Sequence, residues 1–252
     1  MIKRTLALAT VLLAAAFLSA AAQAAFVDLT GNNNSGTINN GIFTFADQQP
    51  TGTGVIDPFL RVQNSPTEQG YNTSGGTPFD DKAGPWTHNI QISDLRNSIQ
   101  NINGTQYFTL LLDVNEPNAQ SLISLDSLSF YTSSIGSQTT TDINQLGTLR
   151  WSLDGAGNSY VLLDAARNHG SGSGDMYAYI PVSAFAGASD SDYVYMFTRF
   201  GDQMSADGTS AGGFEEWAII NNIAAVPEMN ALFPILGLFA TMISVHCFRR
   251  HG

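Results

Sequence analysis

A single cysteine, Cys247, is all the thiol chemistry this chain has, and it lies close to the C-terminus. The body of the chain therefore forms no disulfide and offers neither a thiol nucleophile nor a Cys-based zinc site. Histidine is nearly as scarce. Between the two apolar ends only His88 and His169 occur, with no ligand spacing of value and no motif for a Ser-His-Asp triad. Basic residues are few as well: 10 Lys and Arg stand against 21 Asp and Glu, a net charge of −11. In residues 25–226 the cations are Arg61, Lys82, Arg96, Arg150, Arg167 and Arg199. That balance argues against nucleic acid or an anionic membrane surface as partner, since both reward Lys and Arg. It suits solubility outside the cell and tolerates divalent cations. Helical patterning is also sparse, with helical turns expected only within residues 93–101 and 182–185.

What is present begins at the ends. Lys3 and Arg4 precede an apolar run over residues 6–18, and Ala22-Gln23-Ala24 closes it. A positive start, a short apolar core and an A-x-A site predict a signal peptide spanning 1–24, cleaved after Ala24. The run is shorter than the roughly 20 residues of a stable span, and the A-x-A site weighs against an uncleaved anchor. At the other end, Val226-Pro227-Glu228 precedes an apolar stretch over 231–247, and Arg249 and Arg250 follow it. The stretch is near the lower limit of about 17 residues for a membrane helix. Arg249 and Arg250 act as a cytoplasmic stop by the positive-inside rule, so the domain before them faces outward. A buried core helix is the alternative for this tail, but such a helix should have a polar face and none is visible.

A Pro-Glu motif, one hydrophobic span and a terminal Arg cluster resemble the PEP-CTERM sorting signal, here with Met229 in place of the second proline. The resemblance implies processing near the motif by an exosortase, a membrane transpeptidase-like partner. It also implies a protein found at the cell surface or in an extracellular matrix and often associated with exopolysaccharide. Five internal segments look like one subgroup of these proteins. They are residues 58–63, 67–72, 111–116 (which includes Asp113-Val114-Asn115-Glu116), 170–176 and Phe214-Glu215-Glu216-Trp217-Ala218. The resemblance implies no biochemical activity.

The segment between, 25–225, reads as one β-domain, followed by the sorting segment 226–252. Strands are predicted over 41–46, 59–63, 87–92, 106–114, 122–132, 149–153, 160–163, 176–180, 193–200 and 215–220. The run 106–114 is almost continuously apolar, as for a strand buried on both faces. In 193–200, Tyr193, Tyr195 and Phe197 share one face and Val194, Met196 and Thr198 the other. Short, regularly spaced strands with turn clusters such as Asn103-Gly104 predict an all-β fold, a single jelly-roll-like β-sandwich.

For chemistry the signals are weak. Asp113, Glu116, Glu215 and Glu216 could supply the carboxylate pair of a glycosidase, but any acidic chain offers such pairs. The glycines at 170, 172 and 174 alternate with serines without forming G-x-S-x-G, and a strand rather than a helix follows, which excludes a nucleophile elbow and a phosphate loop. Calcium is the better candidate, because it takes six to eight oxygens from carboxylates, amides and carbonyls. Asp113, Asn115, Glu116 and Asp175 are the candidate ligands, with ordinary turn chemistry as the alternative. Trp86, in the loop-rich Gly84-Pro85-Trp86 segment, is the candidate glycan contact, whereas Trp217 reads as core. The expectation is an exported, non-enzymatic surface or matrix protein linked to extracellular polysaccharide. The alternatives are a calcium-dependent carbohydrate-binding module and a secreted glycan hydrolase.

Overall fold

Alternation of side-chain direction along strands, several of them covered on both faces, builds this molecule. The computed structural model describes residues 25–31, 35–46, 56–155, 157–168, 172–202 and 208–220. The signal peptide with Ala24, the sorting motif Val226-Pro227-Glu228, the apolar tail, Arg249, Arg250 and His169 lie outside the described residues. Among those described, no helix is long and apolar enough to cross a membrane.

In chain order the strands are β1 (Phe26–Asp28), β2 (Ser35–Ile38), β3 (Gly41–Phe45), β4 (Pro58–Val62), β5 (Glu68–Tyr71) and β6 (Ile90–Gln91). A short helix, α1 (Ile92–Arg96), follows. Then come β7 (Gln100–Ile102), β8 (Thr105–Val114), β9 (Leu122–Ser133), β10 (Thr148–Ser152) and β11 (Tyr160–Asp164). The last three are β12 (Met176–Pro181), β13 (Tyr193–Phe200) and β14 (Glu215–Ile219). They form two sheets. One runs β1-β11-β9-β13-β5, with β10 also on β9 and β6 on β13; the other runs β2-β3-β12-β8-β14-β4, with β7 on β8. All pairs are antiparallel except β1 with β11. The fold is an all-β sandwich.

The inner faces meet in one core. Leu110, Leu112 and Val114 of β8 and Trp217 of β14 pack with Ile123 and Leu125 of β9 and Val194 and Met196 of β13. Each such aliphatic side chain contributes about 1.5–3 kcal/mol when fully removed from water. The opposite face of β13 is also buried. Tyr195 and Phe197 join Tyr71, Tyr131 and Leu146 in a second cluster under the 134–147 segment. That segment is tied down by Tyr195 Oη, which donates to Ile135 O at 2.8 Å, and by Tyr71 Oη, which donates to Thr140 O at 2.9 Å. Buried tyrosines here keep a polar tip satisfied.

β1, β2 and β7 lie outside the predicted strands, β7 overlapping the 93–101 stretch where a helical turn is expected, and two further elements differ from the sequence pattern. Only Ile90–Gln91 of the predicted strand 87–92 pairs, because Ile92 starts α1. Asp94 Oδ2 accepts from the Gln91 N–H at 2.7 Å and caps that turn. The second is β5, a buried strand of sequence Glu-Gln-Gly-Tyr with no apolar run to announce it.

Candidate functional site

The register of the second sheet lines up charged residues across three strands. Glu216 of β14 lies directly opposite Arg61 of β4 and Asp113 of β8. Residues opposite in an antiparallel pair share a face. Because Trp217 points into the core, Glu216, Arg61 and Asp113 share the outer face. Arg61 Nε donates to Glu216 Oε1 at 2.6 Å, and its guanidinium lies over the Trp86 and Phe214 rings at 4.2 and 4.5 Å. Burial pushes the Glu216 carboxyl up, opposed by the Arg61 hydrogen bond and charge.

Asp113 is buried, and its Oδ2 accepts from the Gly172 N–H at 2.7 Å. Burial raises it too, against the hydrogen bonds from Gly172 and the Asn115 side chain. Asp175, just before β12, uses Oδ2 to accept from the Val114 N–H at 2.7 Å while its own N–H donates to Leu112 O. It is pushed up to about 9, first by burial and then by the Asp113 and Asp164 charges. The loop bearing Gly172 is thus held on the end of β8 by two carboxyl groups.

A second carboxyl group set lies on the inner face. Glu215 is opposite Val62 and Val114, both in the core. Across the interior, Glu68 of β5 comes from the other sheet. Glu68 Oε2 accepts from the Asn64 N–H at 2.9 Å, but among the described residues Glu68 Oε1 and both oxygens of Glu215 meet no donor. Burial pushes Glu68 up to about 7 and Glu215 well above the usual range, where Glu68 and then Glu116 raise it further. Glu116 stands beside the pair with its oxygens on the Ala211 and Gly213 N–H groups at 3.0 and 3.3 Å. Two facing buried carboxyl groups cannot both be ionised cheaply, so burial and mutual repulsion favour a proton on the pair.

Residues from five stretches far apart in the chain come together here. They supply Arg61, Glu68, Asp113 with Glu116, Asp175, and Glu215 with Glu216. Of the four candidate calcium ligands, Asp113, Asn115 and Asp175 are neighbours, whereas Glu116 is turned toward Glu68 and Glu215. Among the described residues no three Asp, Glu, His or Cys side chains converge as a ligand set. Trp86 is 38% exposed, with Arg61 against its face. Sequence reasoning missed Glu68 and the structural use of Arg61.

At the opposite end of β8, from Asp113 back to Tyr107, an open groove of about 570 Å³ lies where the two sheets meet. Asn39, Asn40, Tyr107, Arg150, Trp151 and Ser183 are among its walls. Asn39 and Asn40 form the β2–β3 turn with φ of 48° and 62°, a left-handed conformation that asparagine accepts better than most residues. Trp151 Nε1 donates to Asn39 O at 2.9 Å, and Asn39 Nδ2 donates to Ser152 O at 2.8 Å. These bonds join the β2–β3 hairpin of one sheet to β10 of the other and fix the groove's width.

No family model matches the chain, and no match is found among the curated proteins or the solved structures compared with it.

Proposed function

We propose that the chain is an exported, surface- or matrix-associated protein whose β-sandwich contacts extracellular polysaccharide and performs no catalysis. Its signal peptide is removed after Ala24. Its tail is retained in the membrane and processed by an exosortase-like transpeptidase at Val226-Pro227-Glu228, with Arg249 and Arg250 on the cytoplasmic side. The sandwich is wound as a jelly roll. Numbering β4, β5, β8, β9, β11, β12, β13 and β14 from one to eight gives sheet orders 1-8-3-6 and 2-7-4-5, the pattern of two interleaved Greek keys.

The observation that carries the contact reading is the separation of the two ends. The groove end is open and rich in amide, hydroxyl and aromatic groups, the combination that fits sugars. The carboxyl end is withdrawn: Glu68, Asp113, Glu116, Asp175, Glu215 and Glu216 are each at most 6% exposed. A glycosidase needs its two carboxyl groups flanking an accessible glycosidic bond, so their burial favours a structural role.

A second, calcium-dependent version of this reading is favoured by Asp175 Oδ1, which has no donor beside buried Asp113. A calcium ion there would draw on Asp113, Asp175, the Asn115 amide and main-chain oxygens. Co-sedimentation of the chain with the host's polysaccharide, with calcium and with chelator, tests both versions. The address is tested by deleting residues 231–252, which releases the protein from the membrane fraction; unchanged fractionation would sink that part.

A further inference from the structure

We propose that the groove at the Asn39–Asn40 turn is a subsite for an acidic sugar, a uronate or a similarly anionic residue, with Arg150 as its anion contact. This rests on the polysaccharide reading and makes it specific.

The argument is one of charge and free valence. The chain has 21 acidic residues, yet among the described residues none lines the groove, and the one charged side chain there is Arg150. Elsewhere the acidic excess finds arginines readily: Arg61 pairs Glu216, Arg96 pairs Asp190 and Arg199 pairs Asp202. Arg150 has no carboxylate partner among the described residues. Its Nε donates to Thr132 Oγ1 at 2.6 Å and its Nη1 to Ala186 O at 3.0 Å, both neutral acceptors. Those two bonds fix the guanidinium plane and leave Nη2 without an acceptor among the described residues.

A fixed guanidinium with free N–H groups binds carboxylate or sulfate through charge-assisted hydrogen bonds, and pre-anchoring reduces the side-chain entropy lost on binding. Around it the lining is neutral. The Asn40 amide, the Thr37, Thr105 and Ser183 hydroxyls and the Tyr107 phenol match the hydroxyls of a sugar ring. A single cation among such groups selects for charge on the sugar, whereas a neutral glycan would leave the arginine's open donors to water.

The test uses the full chain in detergent micelles and affinity electrophoresis through gels containing polygalacturonate or its carboxyl-reduced, neutral counterpart. Retardation by the polyuronate, at least tenfold weaker with the reduced polymer, is the expected result. Arg150→Gln should weaken polyuronate binding at least tenfold and bring it level with the neutral polymer. The comparison of the two polymers on the unaltered chain stands even where the variant fails to fold. Equal retardation by both polymers, or an Arg150→Gln chain that folds and binds as before, overturns the acidic-sugar assignment while leaving polysaccharide contact in place. Retardation by neither polymer overturns the assignment. In that case co-sedimentation with the host's own polysaccharide shows separately whether the broader reading has failed with it.

Discussion

Glu68 and Glu215 face each other across the interior from opposite sheets, and between them there is no hydrogen-bond donor. Two ionised carboxylates in that position would repel in a poorly screened environment. The pair therefore titrates as a unit that retains a proton far longer than an exposed glutamate does.

The first prediction is a pH dependence with a definite direction. An unfolded glutamate releases its proton near 4.5, whereas Glu68 is pushed up to about 7 and Glu215 well above its ordinary range. Between those values the folded chain binds more protons than the unfolded one, so stability falls as pH rises. Asp175, raised to about 9, extends the decline in the same direction. Glu116 and Asp80, the other charges facing Glu68, add to it. Thermal melting in chelator should give a higher midpoint at pH 5 than at pH 8, and Glu215→Gln should flatten the difference. A midpoint that rises from pH 5 to pH 8 would contradict this.

Asp175 makes a sharper case. Its carboxyl oxygen satisfies the buried Val114 N–H. Asp175→Ala leaves that donor without a partner and should cost about 1–3 kcal/mol. Asp175→Asn keeps an acceptor oxygen and is neutral, as the protonated Asp175 carboxyl is, so it should change stability by less than about 1 kcal/mol. Urea denaturation midpoints distinguish the two; equal losses would show that the Val114 bond is not what matters.

Arg61 and Glu216 form a largely buried ion pair, 20% and 8% exposed at their side chains. Arg61→Ala strands the Glu216 carboxylate and should cost roughly 3 kcal/mol. Arg61→Lys should recover only part of that, because an ammonium cannot spread its charge between the Trp86 and Phe214 rings as a planar guanidinium does. Adding Glu216→Gln to Arg61→Ala should restore stability relative to Arg61→Ala alone. A further loss in the double variant would contradict the pairing argument.

Gly213 reports on the same end from the backbone. A Cβ at this position would lie 2.2 Å from Asn115 O, and the residue's own N–H holds Glu116 Oε2. Gly213→Ala must displace one chain from the other and should destabilise by roughly 1–3 kcal/mol. Hydrogen exchange should show the loss at 113–116 and 211–215 rather than in the groove.

Much of the sandwich is legible in the sequence because burial imposes a period of two. β13 occupies the predicted 193–200, and the two faces of its alternation enter two different apolar clusters. The continuous apolar run of β8 reflects burial on both sides. β5 escaped notice because Glu68 and Gly70 occupy buried positions where a strand pattern expects apolar side chains. The end of β8 was visible as an acidic cluster, since Asp113, Asn115 and Glu116 are close in sequence. The Glu68–Glu215 contact was not, because it depends on how two sheets close over each other. The groove is hidden for the same reason: Asn39 of the β2–β3 turn, Tyr107 of β8 and Arg150 of β10 come from both sheets, and local chemistry does not mark them as partners.

The most direct test of the central claim is co-sedimentation of the full chain with the host's extracellular polysaccharide over a range of polymer concentrations, with calcium and with chelator. Polysaccharide contact predicts saturable co-sedimentation, indifferent to chelator if the groove alone suffices and chelator-sensitive if calcium organises the domain. A chain that stays in the supernatant at every polymer concentration, with calcium and without it, would contradict the claim.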